Sequence, residues 1–124
     1  MNHTTPEMNK CIDECLNCHR TCLRTSMSHC LEMGGTHVQP EHFRLMLNCA
    51  EICQTAANFM LSASPMHGAV CAACAEVCAA CEKSCEDVGD MQECVQACHA
   101  CAASCRQMGK QPPSKSARSK SARR

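Results

Sequence analysis

Tryptophan and tyrosine are absent from this chain, and only two phenylalanines occur. Aromatic side chains usually carry the largest buried areas of a core, so this interior must be built from something else. Leu, Ile and Val are also scarce for a chain of 124 residues. No run of about 18 apolar residues is present, which argues against a membrane span. The opening MNHTTPEMNK lacks both the basic and the apolar region of a secretory leader, so the expected location is the cytoplasm. The sequence also has no Ser-His-Asp signature, no phosphate loop and no H-E-x-x-H motif, and no carboxylate pair falls on a helical seam. The expectation is a protein that is not an enzyme.

What is abundant is sulfur: 16 cysteines and 9 methionines. A protonated cysteine behaves as a small hydrophobe and can fill a core. In a reducing compartment thiols persist as thiols, and cysteine clusters there more often bind metal than form disulfides. The densest stretch, VCAACAEVCAACEKSC, places Cys71, Cys74, Cys78, Cys81 and Cys85 at steps of three, four, three and four. At about 3.6 residues per turn these steps put every sulfur on one helical face. A strand would send alternate sulfurs to opposite faces, and a zinc knuckle would interrupt the spacing with a loop.

The same period runs through three further segments. Pro6 and Glu7 open a first helix whose face reads Cys11, Cys15, Cys18 and Cys22, continuing to Ser26, His29 and Met33 before Gly34-Gly35. Cys30 falls about 100° round from His29 and flanks this seam. Pro40-Glu41 opens a second helix with His42, Met46, Cys49, Cys53, Ala56 and Met60 on its face. Ser62-Ala63-Ser64-Pro65 ends it, and Pro65 opens the third, whose seam extends from His67 to Val88. Gly89 stops that helix and Asp90 caps the fourth, where Met91, Cys94, Cys98, Cys101, Cys105 and Met108 share a face up to Gly109. Four amphipathic helices with short turns predict an all-α, antiparallel up-down-up-down bundle with a cysteine-lined core over residues 1–109. A helix of about 22 residues is about 33 Å long, so the thiols would line a tube.

Formal neutrality conceals an uneven distribution. Residues 1–109 hold all twelve acids and six of the twelve Lys and Arg, whereas 110–124 hold the other six bases and no acid. The tail repeats SKSAR and has no large apolar residue, which predicts disorder. Its plainest reading is a solubilising tail, and the alternative is a weak anionic partner such as nucleic acid, a membrane surface or the acidic body itself.

A buried thiolate is costly unless a cation compensates it. Cu(I) is soft, singly charged and satisfied by two or three sulfurs. Bridging thiolates along a tube therefore approach neutrality near one Cu(I) per cysteine, on the order of 10–20 ions. Zinc with four thiolates keeps two negative charges and needs its ligands at one centre. Methionine and neutral histidine bind Cu(I) more weakly than thiolate, which suits transfer at a bundle end. One end gathers Cys30, Met33, His37, His42, Met46 and Met91, with His29 just inside; the other gathers Met8, Met60, Met66, His67 and Met108. His42 and Met46 continue the Cys49–Cys53 face and are the candidate transfer ligands. His19 and His99 point off the axis. Cys15 to His19 matches the C-x-x-C-H haem pattern, a chance match being expected among so many cysteines.

The C-x2-C and C-x3-C steps on successive helices resemble those of the bacterial copper storage proteins of the cytosolic branch. The residues that carry the resemblance are Cys11, Cys15, Cys18, Cys22, Cys49, Cys53, Cys71, Cys74, Cys78, Cys81, Cys85, Cys94, Cys98, Cys101 and Cys105. It implies a bundle whose inward thiolates hold many Cu(I) ions, typically in a homotetramer, with one bundle end as the copper entrance. Storage and detoxification without catalysis would follow, in exchange with a copper chaperone or efflux system. The residues themselves leave open a thiol-redox or zinc-buffering protein and an iron–sulfur electron carrier.

Overall fold

The computed structural model describes residues 4–110, all helix and turn. Helix α1 spans Pro6–Thr25, and its start is set by Thr5, whose Oγ1 accepts a hydrogen bond from the Met8 amide at 3.1 Å. Pro6 sits where a missing amide proton costs nothing. A π turn (Ser26–Cys30) and a last α turn (Leu31–Met33) complete this first rod. After a short 3-10 turn (Gly35–Val38), α2 spans Pro40–Leu61 and is capped by Gln39, whose Oε1 accepts from the His42 amide at 3.1 Å. Helices α3 (His67–Val88) and α4 (Gln92–Gly109) follow.

The helices pack as a ring in chain order. α1 lies against α2 and α4, and α3 lies against the same two neighbours. Thiol pairing shows the antiparallel sense, since Cys11 near the start of α1 meets Cys105 near the end of α4 at 3.6 Å. Every cysteine has zero exposed surface, and Ala50, Ala56, Ala57, Ala75, Ala97 and Ala102 complete the buried faces. This is the predicted four-helix bundle. Among the described residues no helix is long and apolar enough to cross a membrane. The predicted disordered tail falls almost wholly on 111–124, outside the described residues.

The ends of the rods differ from the expectation in four respects. The π turn inserts one extra residue into the helical turn and so rotates the inward face. Ser26 and Cys30 are fully buried, His29 is left at the rim, and Met33 is 55% exposed. Cys30 therefore lies in the core and does not flank it. Pro65 and Met66 belong to the turn before α3 rather than to the helix, and Met66 is 58% exposed. Asp90 does not cap α4. Met91 occupies that position without a side-chain bond, while Asp90 takes a left-handed φ of 58° and faces His29.

The reversal from α3 to α4 depends on Gly89, at φ 82° and ψ 162°, a region that side chains with a Cβ rarely enter. Gly89→Ala should cost the reduced, metal-free bundle about 1–3 kcal/mol, read as a lower urea midpoint at unchanged slope. An unchanged midpoint would show that this turn carries no such constraint.

Candidate metal centre

The inward thiols form groups that overlap along the axis. Cys11, Cys71 and Cys105 lie within 4.8 Å of one another, and so do Cys15, Cys74, Cys101 and Cys105. The same limit holds for Cys53, Cys74, Cys78 and Cys101, then for Cys18, Cys49, Cys53 and Cys78, and then for Cys18, Cys22, Cys49 and Cys98. Each group shares a thiol with the next: Cys105, then Cys74 with Cys101, then Cys53 with Cys78, then Cys18 with Cys49. Contacts also cross the diagonal of the ring, with Cys49 to Cys98 at 3.8 Å and Cys53 to Cys101 at 3.7 Å. The result is a continuous column of sulfur in which no group is isolated from its neighbours.

Towards the α1–α2 turn the column changes character. Cys85 and Cys81 donate to the Met46 thioether at 3.4 and 3.7 Å. Met46 is wholly buried, and His42 lies one turn before it on the same face with 3% exposure. The His42 Nδ1 meets Ser84 Oγ at 2.7 Å, and its Nε2 is buried without a partner. When Nδ1 donates to Ser84, Nε2 carries the lone pair and is free to ligate. Burial, assisted by the nearby His37, lowers the His42 pKa and keeps the imidazole neutral. His37 is also buried, with Nδ1 unpartnered, and its ring meets that of His29 edge-on at 5.1 Å.

The other expected residues separate clearly. At the opposite end Met8, Met60 and Met108 are buried and close the core, whereas Met66 faces outward. His19 Nδ1 donates to the Ala50 carbonyl at 2.8 Å, and Cys15 and Cys18 of the C-x-x-C-H match both point into the thiol column. His99 pairs with Glu82 at 3.0 Å on the outside. Ser26 is buried on the face that the spacing gave it, whereas the burial of Cys30 could not be read from spacing, because no residue type marks a π turn.

Electrostatics inside the column are set mainly by neighbouring sulfurs and by burial. Hydrogen bonds with Cys105 and Cys15 push the Cys101 thiol up, and those with Cys18, Cys22 and Cys49 push Cys98 up. The bonds of Cys71 to Cys105 and Cys11 raise it too, as does its burial. Burial raises Cys30, with the Cys22 charge adding to it. A minority are lowered because neighbours donate to them, as Cys105 does to Cys11 and Cys101 to Cys74. A metal-free column is thus mainly a protonated one.

Fold and centre together define a helical bundle with a soft-metal interior. The chain belongs to the copper storage protein family (Csp), which it matches over residues 4–110. It is 57% identical to the structure of the Nmul_A1745 protein from Nitrosospira multiformis, with a TM-score of 0.84 over 86% of this chain and 97% of that one. The Cu(I)-bound copper storage protein BsCsp3 is 34% identical with a TM-score of 0.77, covering 83% of this chain and 98% of that one. Apo-Csp3 from Bacillus subtilis gives 34% and 0.72 over 82% and 97%. The cysteine-rich protein YhjQ of Bacillus subtilis is 37% identical over 75 residues, 60% of this chain and 68% of that relative.

The raised thiols give the metal-free bundle a distinctive pH dependence. Above about pH 8.5 an unfolded cysteine loses its proton while the raised native thiols keep theirs. The native state then binds more protons, and stability falls as pH rises. Each such thiol contributes up to about 1.4 kcal/mol per pH unit. Urea midpoints of the reduced protein should decline from pH 8.5 to 10.5, whereas a flat profile would mean that the column is already ionised.

Proposed function

We propose that this chain stores and detoxifies multiple Cu(I) ions in its thiol column, without catalysis. The overlap of successive cysteine groups carries the reading. Each Cu(I) that enters displaces thiol protons and takes two or three sulfurs, and shared thiolates bridge neighbouring ions. One ion per cysteine keeps the interior neutral, so the 16 cysteines set capacity on the order of 10–20 ions. The column cysteines are the storage ligands. Met46 and His42, as a thioether and a neutral imidazole beyond the last thiols, serve transfer at the α1–α2 end. Family membership and the Cu(I)-bound state of BsCsp3 support the choice of metal.

A zinc-buffering reading has one observation in its favour, since groups of four thiols within 4.8 Å match a tetrahedral zinc site in ligand number. Because adjacent groups share cysteines, however, neighbouring zinc ions would compete for the same thiolates, and each complete site would keep two negative charges in the core.

Anaerobic titration of the reduced protein with Cu(I) against a chromophoric chelator decides between them. We expect saturation near one ion per cysteine, with ultraviolet sulfur-to-copper absorption rising throughout and helicity retained. Saturation at a few equivalents, or tighter zinc than copper, would overturn the proposal.

The family resemblance and the surface together support a cytoplasmic homotetramer that exchanges copper with a chaperone or efflux system. α1 and its extension expose Leu23, Met27 and Leu31 at 40%, 46% and 55%, beside half-buried Leu16. Such a stripe suits a helix-to-helix contact between copies. Leu23→Glu with Met27→Glu should convert a tetramer to smaller species in light scattering while leaving Cu(I) capacity per chain unchanged. An unchanged mass would place the contact elsewhere.

A further inference from the structure

The flank between α1 and α4 carries a cleft of about 490 Å³ near the end closed by Met108, lined among others by Glu7, Lys10, Glu14, Ala103 and Gln107. Its inner wall is apolar, formed by Ala100, Ala103 and the buried Met108. The Ser104 hydroxyl is also on the lining, but it is turned back to donate to the Ala100 carbonyl at 3.2 Å. Glu14 differs. Its Oε1 is buried and has no hydrogen-bond partner among the described residues. A carboxylate oxygen in that position costs stability until a donor reaches it. Two carboxylates, Glu7 and Glu14, stand here against the single Lys10, so the cleft suits an occupant with basic heads and apolar stems.

Such an occupant begins at the edge of the cleft. α4 ends at Gly109, and the segment 111–124 holds Lys115, Arg118, Lys120, Arg123 and Arg124 with no acid. It complements the bundle, where residues 4–110 carry twelve acids against seven Lys and Arg. Ala100, on the far side of the cleft, lies about 15 Å along α4 from Lys110. Five extended residues reach about 17 Å and eight about 27 Å, so Lys115 and Arg118 both come within range of Glu14. The pair Pro112-Pro113 favours an extended path. A second cleft beside this helix end, between α3 and α4, suits the segment less. Its charged lining is Glu76 against Arg106 and Lys110, which repel further bases.

We propose that residues 111–124 fold back into the α1–α4 cleft of their own chain, where Lys115 and Arg118 pair with Glu14. The aliphatic stems of these two side chains cover Ala100, Ala103 and Met108 while their charged heads reach the carboxylate. Tethering beside the cleft gives the segment an effective concentration on the order of mM, so a weak contact is enough to hold it. The contact is electrostatic at its centre and loosens as salt rises. Beneath the covered flank Cys11 and Cys105 meet at 3.6 Å. A docked segment therefore adds a layer over the first thiol group of the column, on the side away from His42 and Met46. The docking does not depend on which metal the column holds.

The test uses the full chain, reduced and metal-free, at low salt. Carbodiimide, which couples a lysine amine to a carboxylate in contact with it, should link Lys115 to Glu14 in preference to the other acids of the bundle. Arg118→Glu, or raised salt, should lower that yield by about fivefold. When isotopically light and heavy chains are refolded together, the link should join peptides of the same chain only. In amide spectra, residues 7–14 and 100–108 should shift in the Lys115→Glu, Arg118→Glu double variant while those of α2 stay in place. Coupling without preference for Glu14, links between light and heavy chains, or unmoved cleft amides would each overturn the proposal. If the double variant changes only the binding of a duplex DNA oligomer, the segment serves nucleic acid and the proposal fails.

Discussion

Sulfur buried without water must stay electrically neutral, and the rest of this structure depends on that constraint. Two neutral forms are available to the same side chains. With protons, the thiols pack as small hydrophobes and bond weakly to one another, at distances such as 3.4 Å between Cys15 and Cys105. With Cu(I), each thiolate exchanges a proton for a singly charged ion. A divalent ion would need two thiolates for itself and would leave surplus charge wherever four converge. The backbone bonds of the four antiparallel helices lie within the helices and do not depend on the metal, so the ring is expected to keep its shape in either form. Zinc fingers differ in this respect, since loss of the metal unfolds them.

The chemistry is graded along the molecule. Thiols shared between groups occupy the length of the column, and the first departure from thiolate is Met46, in contact with Cys81 and Cys85. His42 follows, buried and neutral, with His37 close behind. Affinity for a soft ion falls in the same order, from thiolate to thioether and imidazole. At the opposite end, buried Met8, Met60 and Met108 shut the core beyond Cys11, Cys71 and Cys105.

The column was legible in the sequence because cysteine steps of three and four admit only one backbone. They place Cys71 through Cys85 on one face, and Cys11 through Cys22 and Cys94 through Cys105 follow the same rule. What spacing missed lies at the ends, where tertiary contacts override local preference. Pro65 has the shape of a helix start, yet the helix begins at His67, after a turn in which the Met66 amide bonds Ser64 Oγ. Asp90 has the chemistry of a cap, yet Met91 holds the cap position and the Asp90 carboxylate lies 3.7 Å from His29 Nε2. The π turn changes the register of Cys30 with no signature of its own, which is why His29, expected just inside the bundle end, lies at its rim, and Met33, expected at that end on the same face, is exposed. Thr5 and Gln39, which cap α1 and α2, could have been read from the residues just before Pro6 and Pro40.

The most direct measurement is an anomalous-scattering map, at the copper edge, of crystals grown from the Cu(I)-loaded protein. A file of copper peaks along the bundle axis, each within bonding distance of two or three Sγ atoms and adjacent peaks sharing sulfurs, is the predicted result. Copper confined to surface histidines, or to isolated four-sulfur sites separated by empty thiols, would contradict the account.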